Sequence, residues 1–167
     1  MSSTLWWLVL LLSLGGCQRS APARPEPDAV SSTTPGRVQA WGAALTLPEA
    51  FEGGRTDYGG YELTDGELAV LIGKHPRQPS ESLRDAARRH ANKLDSRVTS
   101  EREHAVARTR VLVLEARSTE DGGSVQLWLL VAPLGPELLT VLLVGSADSA
   151  ARGAKVWADI VASLELP

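Results

Sequence analysis

Residues 124–131 read SVQLWLLV, and the stretches on either side, 110–115 (RVLVLE) and 138–144 (LLTVLLV), are nearly as apolar. Runs of this length, rich in valine and leucine and bounded by turn residues, read as strands. The connections between them are short: Glu120-Asp121-Gly122-Gly123, then Pro133-Leu134-Gly135-Pro136. Such tight turns force antiparallel neighbours, because a parallel return needs a crossover of about a dozen residues or more. Successive side chains of a strand point to opposite faces. Val125, Leu127, Leu129 and Val131 therefore share one face, and Trp128 and Leu130 the other. An antiparallel sheet with one wet face would alternate apolar with polar residues. This sheet must be covered on both sides.

Two segments have the helical period to cover it. In 80–98, Leu83, Ala87, Ala91, Leu94 and Val98 form an apolar stripe, with Ser80 as cap after Pro79. In 149–164 the stripe is Ala150, Ala154, Trp157, Val161 and Leu164, with Asp148 as cap. Earlier in the chain, 43–48 (AALTLP) reads as a strand closed by proline, 58–63 (YGGYEL) as a second, and 67–72 (ELAVLI) as a third entered through Asp65-Gly66. The expected fold class is α+β: a three-layer α/β/α sandwich around a mainly antiparallel sheet.

At 167 residues the chain suits one domain. A formal charge of −3 gives no electrostatic case for nucleic acid. One cysteine excludes an internal disulfide framework and any multi-cysteine metal site.

That cysteine follows an apolar run, 5–14 (LWWLVLLLSL), about 15 Å long as a helix. A bilayer span takes about 20 residues, so the run suits the core of a signal peptide instead. Leu14-Gly15-Gly16-Cys17 resembles the lipobox of bacterial lipoproteins. The resemblance implies that the Cys17 thiol receives a diacylglyceryl group and that a peptidase cuts just before it. The new amino terminus is then acylated, and several acyl chains anchor stably. One departure is that Met1-Ser2-Ser3-Thr4 carries no Lys or Arg. Gln18 after the cysteine is not Asp, which by the same resemblance implies an outer-membrane protein facing the periplasm. Residues 1–16 thus read as signal peptide. Residues 17–37, with Pro22, Pro25, Pro27 and Pro35, read as lipidated cysteine and disordered linker, and 38–167 as one domain.

The order of elements in 43–167 resembles the PsbP-like families, including DcrB-like bacterial lipoproteins. The shared features are an early "LTLP" strand, a mid-chain helix, three antiparallel strands, and a closing helix with a short terminal strand, here Ser163-Leu164-Glu165-Leu166-Pro167. The resemblance implies a non-catalytic binding or assembly factor and transfers no functional residue.

The chemistry-bearing residues agree with that expectation. No G-x-S-x-G elbow is present. His75, His90 and His104 stand in no ligand spacing, so neither metal nor cofactor is expected, and His90 reads as a structural histidine at the edge of its stripe. Gly145-Ser146 before Asp148 reads as chain reversal and capping, or as an anion site at a helix start. Among the helix cations, Arg84 and Arg88 flank one side of the stripe and Lys93 and Arg97 the other, with their stems packed and heads in water, and Arg89 lies nearly opposite. Arg89, Lys93 and Arg97 are candidates for a ridge facing an anionic partner, weakened by Asp85 four residues before Arg89. The glycine-rich loop 51–61 adds Arg55, Asp57, Tyr58 and Tyr61 as candidate partner contacts. The expected function is a lipid-anchored, non-catalytic envelope protein that binds a protein partner or assists an envelope complex. A small-molecule or ion binder, or an enzyme whose groups meet only in space, are the alternatives.

Overall fold

The computed structural model describes residues 36–48, 50–57, 59–120 and 123–167. Cys17 and Tyr58 lie outside them. Two short strands, β1 (Arg37–Ala40) and β2 (Ala43–Thr46), pair as a hairpin. Seven more form a single sheet: β3 (Glu52–Arg55), β4 (Tyr61–Thr64), β5 (Leu68–Pro76), β6 (Arg97–Val106), β7 (Thr109–Glu120), β8 (Gly123–Leu134) and β9 (Glu137–Ser146). Their order is β3-β4-β5-β9-β8-β7-β6, with every neighbouring pair antiparallel. Helix α1 (Leu83–Lys93) joins β5 to β6. Helix α2 (Ala150–Ser163) follows β9 through a 3-10 turn at Ala147–Ser149.

The alternation in β8 divides the core in two. Trp128, Leu130 and Ala132 join Leu139, Val141 and Leu143 of β9 under α2 and the β1–β2 hairpin. Leu127, Leu129 and Val131 join Leu112 and Leu114 of β7, together with Leu138 and Leu142, under α1. The antiparallel α+β sheet is thus covered on both faces, as its strands require. The two covers differ in strength. α2 brings Val156, Trp157 and Ile160 to the sheet, whereas α1 brings Ala86, Ala87, His90 and Ala91. The terminal strand reduces to a bridge between Ala44 and Glu165 that ties the chain end to β2.

Several elements differ from the sequence reading. The mid-chain helix is shorter than 80–98. Ser80 sits in a turn at φ 63°, and Ser82 caps the helix by accepting from the Asp85 amide at 3.1 Å. Leu94 ends the helix, Asp95 turns the chain at φ 44°, and Val98 belongs to β6. Strand β6 has no counterpart in the sequence pattern, because its residues are mostly exposed and follow no apolar alternation. Strands β1 and β3 likewise lie outside the strands that the sequence pattern marks, and β3 (EGGR) is exposed throughout. On α2 the buried stripe is Gly153, Val156, Trp157, Ile160 and Leu164. Ala154 is exposed, because the helix is rotated to lay Gly153 on Trp128. Asp148 lies within the 3-10 turn, which Ser146 caps, and the residue at the N-cap of α2 is Ser149, without a side-chain cap hydrogen bond.

Candidate functional site

The basic helix is not a free ridge. Arg84 and Arg88 both reach across to Glu101 on β6, the Arg88 contacts measuring 3.1 and 3.2 Å. Arg89 grips Glu81 with two hydrogen bonds, at 2.8 and 3.0 Å, rather than pairing with Asp85. Asp85 instead accepts from the Ser82 hydroxyl. The Glu81 side chain is only 6% exposed. The Arg89 hydrogen bonds hold its carboxyl below the usual range against the opposing effect of burial. Its backbone carbonyl accepts twice from Arg77. Glu81 therefore locks the β5–α1 connection to the helix. Of the three ridge candidates, Lys93 and Arg97 stay exposed at the carboxyl end of α1 and the start of β6, and Arg97 is a strand residue.

The loop candidates also separate. Residues 52–64 form a hairpin whose turn is closed by Thr56, its amide donating to Gly60 and its carbonyl accepting from Gly59, both at 2.9 Å. Arg55 and Asp57 are exposed. Tyr61 is not a surface contact. It is 7% exposed and packs edge-on against Trp41, ring centroids 5.8 Å apart. The period of β4 turns it into the core. Arg55 lies on one edge strand and Arg97 on the other. Six strand spacings of about 4.8 Å put those edges on the order of 30 Å apart. The candidate contacts thus form two surfaces.

Two histidines that sequence spacing left apart come together. His75 on β5 and His90 on α1 meet with ring centroids 4.7 Å apart, tilted by 52°. His75 folds back over Gly73, where a β-carbon would come within 2.9 Å of its Nε2 and 3.1 Å of Thr140 Oγ1. His90 is 7% exposed, and its Nε2 is buried without a hydrogen-bond partner. Burial, then His75, Arg89 and Lys93, push the His90 imidazole down to about 4, against a weaker opposing pull from Glu81. Burial, Lys93 and Arg89 lower His75 as well. Both rings are therefore neutral at pH 7. His104 is exposed on β6, and among the described residues no group of three metal-binding side chains assembles. The sequence marks only His90, at the edge of the helix stripe; His75 lies beyond the strand read over 67–72 and carries no signal.

Other sites resolve into structure. The Ser146 hydroxyl accepts from the Ser149 amide at 3.3 Å, so that amide serves the cap. An apolar cavity lined by residues including Val38, Leu45, Ile72 and Leu139 measures about 10 Å³, room for about one water. No described helix is long and apolar enough to cross a membrane.

No protein-family model matches the sequence, and no curated protein matches it. Solved structures do match. Cyanobacterial PsbP from Synechocystis sp. PCC 6803 superposes with a TM-score of 0.62 at 13% identity, covering 78% of this chain and 91% of that one. The fold is shared. The Ran-binding protein Mog1p of Saccharomyces cerevisiae gives 0.58 at 7% identity, covering 75% and 90%. LpqN of Mycobacterium tuberculosis, a protein involved in cell envelope biogenesis, gives 0.53 at 9% identity, covering 75% and 83%. Against a longer Bacteroides thetaiotaomicron protein the chain spans only 45% of the other's length. At such identities the likeness is one of fold.

Proposed function

We propose that this chain is a lipid-anchored, non-catalytic protein of the bacterial cell envelope whose folded domain binds a protein partner. Lipidation of Cys17 would hold it at the outer membrane, facing the periplasm. The segment 18–37 would let the domain stand off the lipid, about 60 Å if drawn out as polyproline helix. The observation that carries the reading is a lipobox-like Leu14-Gly15-Gly16-Cys17 ahead of a domain whose fold also serves a Ran-binding protein and an envelope-biogenesis protein. Lys93 and Arg97 form the basic corner available to a partner, and Arg55 and Asp57, next to Tyr58 in the sequence, form the second, separate contact region.

The test is crosslinking in living cells followed by purification from membranes, with Cys17→Ala and the double variant Lys93→Glu, Arg97→Glu in parallel. One protein recovered in near-equal amount from wild type, and reduced in both variants, supports the reading. Fractionation of the wild type with soluble protein rejects the anchor. Absence of any stoichiometric partner rejects the binding role.

A further inference from the structure

We propose that the His75–His90 pair is an acid-sensitive latch: when both rings take up protons, α1 lifts off the sheet while α2 and the rest of the fold stay in place. The pair is a contact between β5 and α1, 4.7 Å centroid to centroid, beside Leu71 of β5, which packs on the cluster that holds the α1 alanines. His90 Nε2 is buried and unbonded. The neighbours from β9, Leu138 and Thr140, carry no charge, and Thr140 Oγ1 donates to the Gly73 carbonyl at 3.3 Å. From α1 the charged neighbours are Arg89 and Lys93, both cations. The one anion that acts on the pair is Glu81 from the β5–α1 connection, and both its carboxylate oxygens are held by Arg89. Two imidazolium ions here would repel each other and both cations, with His90 buried and His75 only partly open to solvent.

The helix they hold is weakly attached. Its fully buried contacts are three alanines and His90 itself, with Leu83 and Leu94 only partly covered. Small side chains bury little apolar area, so the docking energy of α1 is modest. α2 is fixed by Val156, Trp157, Ile160 and Leu164. Local opening at α1 is therefore the lower-energy response to acid. The sign follows from linkage. Undocked, the histidines return toward their ordinary affinity near pH 6.5, so the open form binds more protons and gains as pH falls from about 6.5 to about 4. Glu81, held below the usual carboxylate range, keeps its charge through most of that window.

The experiment is amide hydrogen exchange on the full chain at pH 7.5 and 4.5, expressed as protection factors for α1 and α2, with the two histidine rings titrated by NMR. Protection across 83–93 should fall on the order of a hundredfold in acid, with α2 unchanged. His90→Phe, which keeps an apolar ring, should hold α1 protection nearly constant. His75→Gln, at the more exposed position, should raise the midpoint of the His90 ring. Equal losses in α1 and α2, undiminished α1 protection at pH 4.5, or the same loss in His90→Phe would each overturn the latch. Ordinary ring titrations near pH 6.5 in the folded protein would do so independently of any variant.

Discussion

Gly153 of α2 lies against the indole of Trp128 on β8 with no room for a β-carbon between them. This contact sets how closely the helix approaches the sheet. Gly→Ala inside a helix ordinarily stabilises by about 1 kcal/mol. Here the added methyl meets a ring that is 3% exposed and cannot swing away, so overpacking, about 1–3 kcal/mol, wins. Gly153→Ala should lower stability in urea denaturation. In a Trp128→Leu background the same substitution should become neutral or stabilising. A destabilisation of equal size in both backgrounds would show that the ring is not the obstacle.

Asp65 fastens the β4–β5 turn to α2. Its Oδ1 accepts from the amides of Glu67 and Leu68 at 3.0 and 2.9 Å, and its Oδ2 accepts from Arg152. Burial alone would raise this carboxyl, but the two backbone hydrogen bonds and then Arg152 together bring it below the ordinary value. A carboxylate lowered on folding contributes stability that is present above its unfolded value, near 3.9, and is lost as pH falls through the folded one. Asp65→Ala should cost about 1–3 kcal/mol at pH 7, because the exposed Glu67 amide and the partly buried Leu68 amide lose a charged acceptor. Arg152→Ala should cost less, since that side chain stands in solvent. The wild-type advantage over Asp65→Ala should shrink below pH 4. A constant difference from pH 7 to pH 3 would contradict the assignment.

What could be read from the sequence tracks how strongly each residue is constrained by burial. Strands β7, β8 and β9 were legible because Val111, Leu127–Val131 and Leu138–Val144 must face two cores at once, which leaves a continuous apolar run. Strand β6 was hidden because its ladder to β7 is satisfied by backbone, while Glu101, Arg102, Glu103 and His104 point to solvent or to α1. It is an edge strand, and charges and a register shift between Val98 and Ser100 suit that place. The sequence pattern overruns the end of α1 because Leu94 and Val98 continue the helical spacing, and only the backbone turn at Asp95 breaks it. The histidine pair depends on how a helix docks across a sheet, and no local pattern encodes that.

Tyr61 tests the division between core and surface in the 51–61 segment. Its ring sits edge-on to Trp41 within the core under the β1–β2 hairpin. Tyr61→Ala should remove about 3 kcal/mol through lost burial and the cavity left behind. Arg55→Glu, a few residues away and exposed, should change stability by less than about 0.5 kcal/mol. Thermal denaturation of the two variants decides the matter. Similar melting temperatures would mean that Tyr61 is not a core residue.

Glu101 is the remaining link between α1 and β6. One carboxylate, 15% exposed, takes both Arg84 and Arg88, whose own side chains are 57% exposed. Solvent screens such contacts, so Glu101→Gln should cost only about 0.5–1 kcal/mol in global stability. Its local effect should be larger in proportion, because the three alanines give α1 little other purchase on the sheet. At pH 7.5 Glu101→Gln should speed exchange of the α1 amides without affecting those of α2. Raising the salt concentration should speed α1 exchange in the wild type more than in the variant, since the charge pair that salt weakens is then already gone. Equal salt dependence in the two proteins would mean that the Arg84 and Arg88 contacts do not hold the helix, and that its attachment rests on the alanines and the histidine pair.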